Sequence, residues 1–360
     1  MKQFDFGRYP KRRIALLFLY TGWDFDGLVA QTNTQNTVEE TKLVESREGC
    51  EWTRCGRTDR GVSAFRQVAA VTVRSTDVSS VGHFWVEGSA EREDKTSSTI
   101  ELPYIKMLNG VLPESIRILA FAPVQRDFSA RFNCVQREYT YIFPRANIKE
   151  LTGLNDACGR LCGTHDFRNF CHIDRNEGRL EMSYVRTIMD VRVEPLNDPF
   201  AIHCPLPSTP NDPFQLLRLT IIDELLDVHQ FTARPQYKLA NELPLCLFDC
   251  TFDEPIEWKF DKNALDSVIK VLQRKWAEHQ IKAANIKSML NGLKVVSADN
   301  QSVANGLDEF VRAEPPLKKY LPLRKRPRCE GLEERRRKAQ LKRVKGLDVE
   351  NSGRMAADSD

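Results

Sequence analysis

The chain has 360 residues, of which 41% are hydrophobic and 29% charged, and its formal net charge is +3. That composition suits a globular protein with one large core or two smaller ones, and the charge alone is too small to imply nucleic acid. No stretch reaches the roughly 18 to 20 apolar residues of a membrane span, and Lys2, Asp5 and Arg8 stand where a signal peptide would be apolar, so a soluble intracellular protein is expected.

In chain order, Arg13 to Tyr20 is an apolar run of β character. The segment Gly56-Arg57-Thr58-Asp59-Arg60-Gly61-Val62-Ser63-Ala64 then sets one carboxylate between two arginines in a glycine-bounded loop, and Val68 to Arg74 follows as a strand. Nearby arginines favour an ionised carboxylate, which suits a nucleophile and not an acid. A plain surface turn has the same composition. Val86 to Thr99, rich in Glu, Ser and Lys, reads as a mobile excursion. Lys106 to Pro113 reads as a short helix stopped by Gly110 and Pro113, and Ile116 to Pro123 as a strand. Arg137 to Phe143 alternates, which places Tyr139 and Tyr141 on one strand face and Thr140 on the other. Leu151 to Leu161 predicts a helix, Val185 to Val193 a strand, Leu216 to Val228 a helix, Leu245 to Phe252 a closing strand and Leu265 to Ala277 a longer helix. The mixture implies an α/β (α+β) fold.

Ten cysteines are scattered without paired Cys-x-x-Cys sets, so reduced, mostly buried thiols and no metal are expected. From Lys318 the chain is rich in Lys and Arg. Such a tail contacts phosphates or serves as a nuclear address, or else forms a solvated helix whose Glu333 and Glu334 pair with Arg337 and Lys338.

The Asp59 segment, with Arg54-Cys55 before it and Gln67 and the run Val68 to Val73 after it, resembles the catalytic-aspartate motif of the TruA family of tRNA pseudouridine synthases. Tyr20-Thr21-Gly22-Trp23 is similar to the turn after that family's first strand. Phe128 to Phe132 and Arg137 to Ile142 resemble its second motif, which supplies a tyrosine to the active site. Gly163 to Cys171, Arg234 to Tyr237 and Leu243 to Leu245 resemble most closely the eukaryotic branch acting on tRNA positions 38 and 39. The likeness spans most of residues 11–260.

The resemblance implies an isomerase that converts uridine to pseudouridine in the anticodon stem-loop of tRNA, with no cofactor and no membrane. It implies two sheet-backed subdomains, 11–125 with the Asp59 loop and 126–260, sharing a central mixed, largely antiparallel sheet with an RNA-binding cleft between them. Residues 261–360 would be a helical, then basic and partly disordered tail. Asp59 would act as nucleophile or base, at ribose C1′ or by proton abstraction to a glycal; both routes stay open. Arg57 would hold the flipped nucleotide or the gap it leaves, Tyr139 would stack on the uracil, and Leu245 would form an apolar wall. Arg131 and Arg137 would line the cleft as phosphate contacts. The duller readings are a half-buried strand tyrosine and exposed strand charges. His165 and His172 are structural or RNA-facing. A homodimer is left open, and Leu323 to Arg328 resembles a nuclear signal, so nucleus and cytoplasm are both expected.

Two pieces of the family pattern are missing. Thr41 to Arg47 directly follows Thr37 to Glu40, where the family continues through a longer amphipathic helix. Between Val193 and Leu225 the family has an apolar strand and a His-Gln-Ile/Val-Arg helix start, whose arginine pairs with the catalytic aspartate. Here stand Pro195, Pro199, Pro205, Pro207, Pro210 and Pro213, which imply a loop or edge. Arg218 is the nearest basic replacement. A catalytically impaired tRNA-binding protein, or a truncated isoform such as a splice variant, is the alternative.

Overall fold

A computed structural model describes residues 6–28, 48–78, 81–85, 100–143, 152–173, 180–195, 220–237, 240–296, 321 and 323–342. The expectations for 86–99, 37–47, Pro199 to Pro213 and Arg218 lie outside these residues. The chain divides into two units, the first Met1–Phe143 with Asn241–Ser302, the second Pro144–Ala240 with Val303–Asp360. Both units are discontinuous in sequence.

The first unit is built on a mixed eight-stranded sheet. Its strands are β1 (Lys11–Tyr20), β2 (Thr53–Arg54), β3 (Ser63–Arg74), β4 (His83–Phe84), β5 (Ile116–Pro123), β6 (Cys134–Tyr141), β9 (Leu245–Phe252) and β10 (Lys259–Phe260). The main order is β10-β5-β1-β3-β9-β6, with β2 paired to β3 and β4 to β1. Every pairing is antiparallel except β3 with β9, where Ser63 faces Cys246 and Ala64 faces Leu247.

β1 is buried on both faces after Lys11, so it reads as a continuous apolar run and not an alternating one. Ile14, Leu16 and Phe18 pack with Tyr104, Ile105 and Leu108 of helix α1 (Tyr104–Val111), while Ala15, Leu17 and Leu19 pack with Val268, Leu265 and Leu272 of helix α4 (Lys262–Val296). Burying an apolar side chain of this size contributes about 1.5–3 kcal/mol, so the two helices hold opposite faces of one sheet. The core also admits charge: Arg12, fully buried, meets Asp77 at 3.3 Å and Glu101 at 2.7 Å.

The sequence places the elements better than their ends. β9 has the expected bounds. β3 starts five residues early, at Ser63, because β9 pairs with its first residues. β6 ends at Tyr141, short of Phe143. α4 far outruns Leu265 to Ala277: the Asp261 carboxylate accepts from the Ala264 N–H at 2.9 Å as an N-cap, and no proline follows to stop it.

The second unit contains α2 (Thr152–Gly159), the pair β7 (Gly163–Asp166) and β8 (Val185–Ile188), and α3 (Thr220–Leu226). β8 stops well before Val193 because its partner β7 offers only four residues. Of the expected Leu216 helix start, 216–219 lie outside the described residues. A helix over 332–342 buries Leu332 and Ala339 against Leu180, Ile173 and Tyr184. The described part of the basic segment is therefore built into the unit and is not a loose tail. Several of its charges are paired: Lys338 with Glu330 and Glu334, Arg336 with Glu181 and Glu333, and Arg324 with Glu224. The Glu333 and Glu334 pairing thus reaches Lys338 as expected, while Arg336 takes the place of Arg337.

Candidate active site around the Asp59 loop

β1 occupies one edge of β3 from Ala64 to Arg74, which leaves β9 and β2 to share the other, at Ser63–Ala64 and at Ala69–Ala70. Residues 55–62 leave the sheet between those two pairings. Their sequence fixes the shape. The Val62 N–H donates to the Asp59 carbonyl at 3.2 Å, closing a turn whose third residue, Gly61, has φ +77°, a conformation glycine adopts without steric cost. A Cβ on Gly22 would lie 1.9 Å from the Val62 carbonyl oxygen, so the turn after β1 needs glycine to press against this loop.

Three side chains fasten the loop from below. Gln67, fully buried in β3, donates from Nε2 to the Gly56 carbonyl at 2.9 Å and accepts the Gly56 N–H at 3.4 Å. The Tyr20 hydroxyl lies 2.6 Å from Thr58 Oγ1, and the Ser63 hydroxyl accepts the Gly22 N–H at 3.0 Å. Cys55, Gly56, Thr58 and Val62 are buried as a result, and Arg57, Asp59 and Arg60 are turned to the outside. Burial pushes the Tyr20 hydroxyl pKa up, against its hydrogen bonds with Thr58 and Gln67, so it stays a neutral donor or acceptor.

The arginines on either side of Asp59 do not clamp it. Arg60 pairs with Asp26 at 3.3 Å, both groups exposed, and no ion pair joins Asp59 to a described residue. Adjacent side chains on this loop diverge, which a one-dimensional reading cannot express. Arg137 lies across Gly56: a Cβ there would meet its Nη1 at 3.0 Å. The same guanidinium lowers the pKa of Tyr139, though burial wins and raises it. Tyr139 stays 48% exposed and pairs through its backbone with Leu247. Leu245, half-buried, opens β9 and faces Tyr141. Arg131 lies in the turn before β6, its guanidinium 5.2 Å from the Phe132 ring centre.

Tyr139 has three thiols for neighbours, Cys55, Cys134 and Cys250. Cys55 and Cys134 are 3.1 Å apart at sulfur; a hydrogen bond with Cys250 and then burial push the Cys55 thiol far up, and burial first, then the Cys55 contact, raises Cys134 to about 12. Cys55 and Cys134 are therefore neutral packing groups at physiological pH. Of the nine described cysteines, Cys50, Cys55 and Cys158 are buried and the other six are only partly so, against the expectation of mostly buried thiols, because several occupy sheet edges and loops. Among the described residues no cluster of His, Cys, Asp or Glu is arranged to hold a metal, and no helix is long and apolar enough to cross a membrane.

His165 and His172 belong to the second unit, where His165 Nε2 lies 2.8 Å from the Cys162 carbonyl and His172 Nδ1 lies 3.2 Å from Arg234 Nη2. Beside them Asn169, buried, donates to the carbonyls of Leu225 at 3.0 Å and Phe231 at 2.7 Å, and accepts at its own carbonyl from the Tyr237 hydroxyl. The Gly163 to Cys171 and Arg234 to Tyr237 segments are thus fitted to each other. Sequence reasoning missed Tyr20, Thr58 and Gln67 as loop fasteners. The available signal was a polar Gln67 at the head of an apolar strand.

No protein-family model matches the chain. It is similar to a probable tRNA pseudouridine synthase of Caenorhabditis elegans, 40% identical over 96% of this chain and 94% of the worm protein. It is 36% identical to the human tRNA pseudouridine(38/39) synthase over 93% of this chain and 78% of that one, and 33% identical to the yeast protein of the same name over 72% and 61%. The worm alignment runs over 377 positions, more than the chain's 360 residues, so the relative carries residues that this chain lacks.

Proposed function

We infer that this chain, which belongs to the tRNA pseudouridine synthase family, is an enzyme that isomerises uridine to pseudouridine at tRNA positions 38 and 39. The reaction breaks the bond between uracil N1 and ribose C1′, turns the base and joins its C5 to the same carbon; N1 gains a proton and C5 loses one. Nothing is oxidised or reduced.

In this reading the substrate is the anticodon stem-loop, and residues 11–125 and 126–260 supply the two sheet-backed halves of an RNA-binding cleft. The uracil leaves its stack at a cost of a few kcal/mol, offset by backbone contacts and by stacking. Asp59 acts on the sugar as nucleophile or base, Arg57 holds the flipped nucleotide or fills its gap, Tyr139 stacks on the uracil and Leu245 walls the pocket. Arg131 and Arg137 take phosphates. A homodimer, present in nucleus and cytoplasm, belongs to the same reading.

One observation supports the site above the others. The loop is pinned at Gly56 by Gln67 and at Thr58 by Tyr20, which presents Arg57 and Asp59 outward on a fixed backbone. Pre-positioned groups of this kind are what a displacement at carbon requires. The test is pseudouridine mapping on unmodified tRNA with the purified chain and with Asp59→Ala. Signal at position 38 or 39 that disappears in the variant is expected; equal signal from both would remove Asp59 from the chemistry. Binding of tRNA without any product would favour the non-catalytic RNA-binding alternative.

A further inference from the structure

Arg54 has been given no role so far. It is held in β2 by pairing with Ala69, and its neighbour Thr53 is a fastening point for a second segment. Thr53 Oγ1 accepts the Ala130 N–H at 3.1 Å and Arg13 Nη2 at 3.4 Å. The same Arg13, itself buried, donates to the Phe128 carbonyl from Nε at 3.2 Å and Nη2 at 3.1 Å, and to the Glu51 carbonyl from Nη1 at 2.6 Å. The turn from Phe128 to Asn133 is therefore bolted to β2 through partly buried hydrogen bonds. Arg54 and Arg131 each stand one residue beyond the bolt.

Burial lowers the pKa of Arg54, and repulsion from Arg57 and then Arg131 lowers it further. The Thr53–Ala130 hydrogen bond sets Arg54 and Arg131 at adjoining backbone positions, and Arg57 follows three residues after Arg54. None of them makes an ion pair with a described acid, whereas Arg12, Arg60 and Arg66 in the same unit all do. Like charges held together on a rigid frame destabilise the free protein, and an anion from outside relieves them. A planar guanidinium matches the two non-bridging oxygens of a phosphodiester with paired hydrogen bonds.

We propose that Arg54 and Arg131 form a phosphate seat at the edge of the Asp59 loop, which fixes the RNA backbone next to the reacting nucleotide. The proposal rests on the reading of the chain as a tRNA pseudouridine synthase. Arg54 is a positioning residue in this scheme: it touches the backbone and not the reacting atoms.

The test is tRNA binding across a salt series, together with kcat and KM for pseudouridine formation, for the full chain and for Arg54→Ala, Arg54→Lys and Arg131→Ala. Arg54→Ala is expected to raise KM about tenfold with kcat within about twofold, and to lower the slope of log Kd against log salt by about 1. Arg54→Lys, which keeps the charge, restores the slope. An unchanged KM and an unchanged slope in Arg54→Ala overturn the proposal. Should that variant fail to fold, Arg131→Ala, in an exposed turn, reads the same slope, and no change there overturns it equally. If the parent chain binds tRNA but forms no product, the enzymatic reading falls while the salt slope still decides the seat.

Discussion

At the scale of single residues, the site depends on a polar side chain in an apolar strand. Gln67 satisfies both the N–H and the carbonyl of Gly56 where water does not reach. Gln67→Leu is expected to lower stability by about 1–3 kcal/mol in urea unfolding, since it strands two buried backbone groups. It also frees Arg57 and so lowers kcat more than it raises KM. A variant as stable and active as the parent would show that Gly56 needs no tether. The sequence made Asp59 and its arginines visible, because glycines and charges in one short segment are conspicuous. It did not show where they point. Arg60 turns to Asp26, and Arg54, two residues outside the motif, feels the charge of Arg57 and Arg131. Partners of this kind come from residues distant in sequence, such as Ala130 on Thr53.

At the scale of elements, legibility followed burial. β9 was readable to its ends because its apolar run and its pairing coincide. The second strand of the β7–β8 pair was overestimated, since its length is set by a four-residue partner that carries too few apolar residues to stand out. The chain leaving β7 is held partly by charge. At the end of β7 burial alone would raise the Asp166 carboxyl pKa, but hydrogen bonds from Arg168, at 2.9 and 2.6 Å, outweigh it and hold the group below the usual carboxylate range. A carboxyl depressed in the folded state adds stability above its unfolded pKa of about 4 and loses it as pH falls through the lower folded value. Asp166→Asn is therefore expected to unfold at lower urea than the parent near pH 7, with the gap closing below about pH 4. A gap that stays constant across that range would mean the pair acts by shape and not by charge.

At the scale of the whole molecule, each unit is closed by a segment far along the chain. In the second unit Leu332 is 1% exposed and packs on Leu180. Leu332→Ala is expected to cost about 2–5 kcal/mol there. Hydrogen exchange should accelerate in β7, β8 and α3 while β1 and β3 keep their protection, because the two cores are separate. Uniform loss of protection across both units would refute that separation. Composition read the segment as a basic tail or a solvated helix, since it registers Lys and Arg and is blind to the single leucine that anchors them.

The parallel meeting of β3 and β9 also orders events during synthesis. The ribosome delivers Ser63 and the Asp59 loop early, but the strand that covers their open edge begins only at Leu245. Until then the nascent chain carries the Asp59 loop beside an unpaired strand edge, the kind of surface that sticks to other chains. Chaperone capture and misassembly should therefore concentrate in chains stalled between these two strands, and fall once β9 has left the exit tunnel.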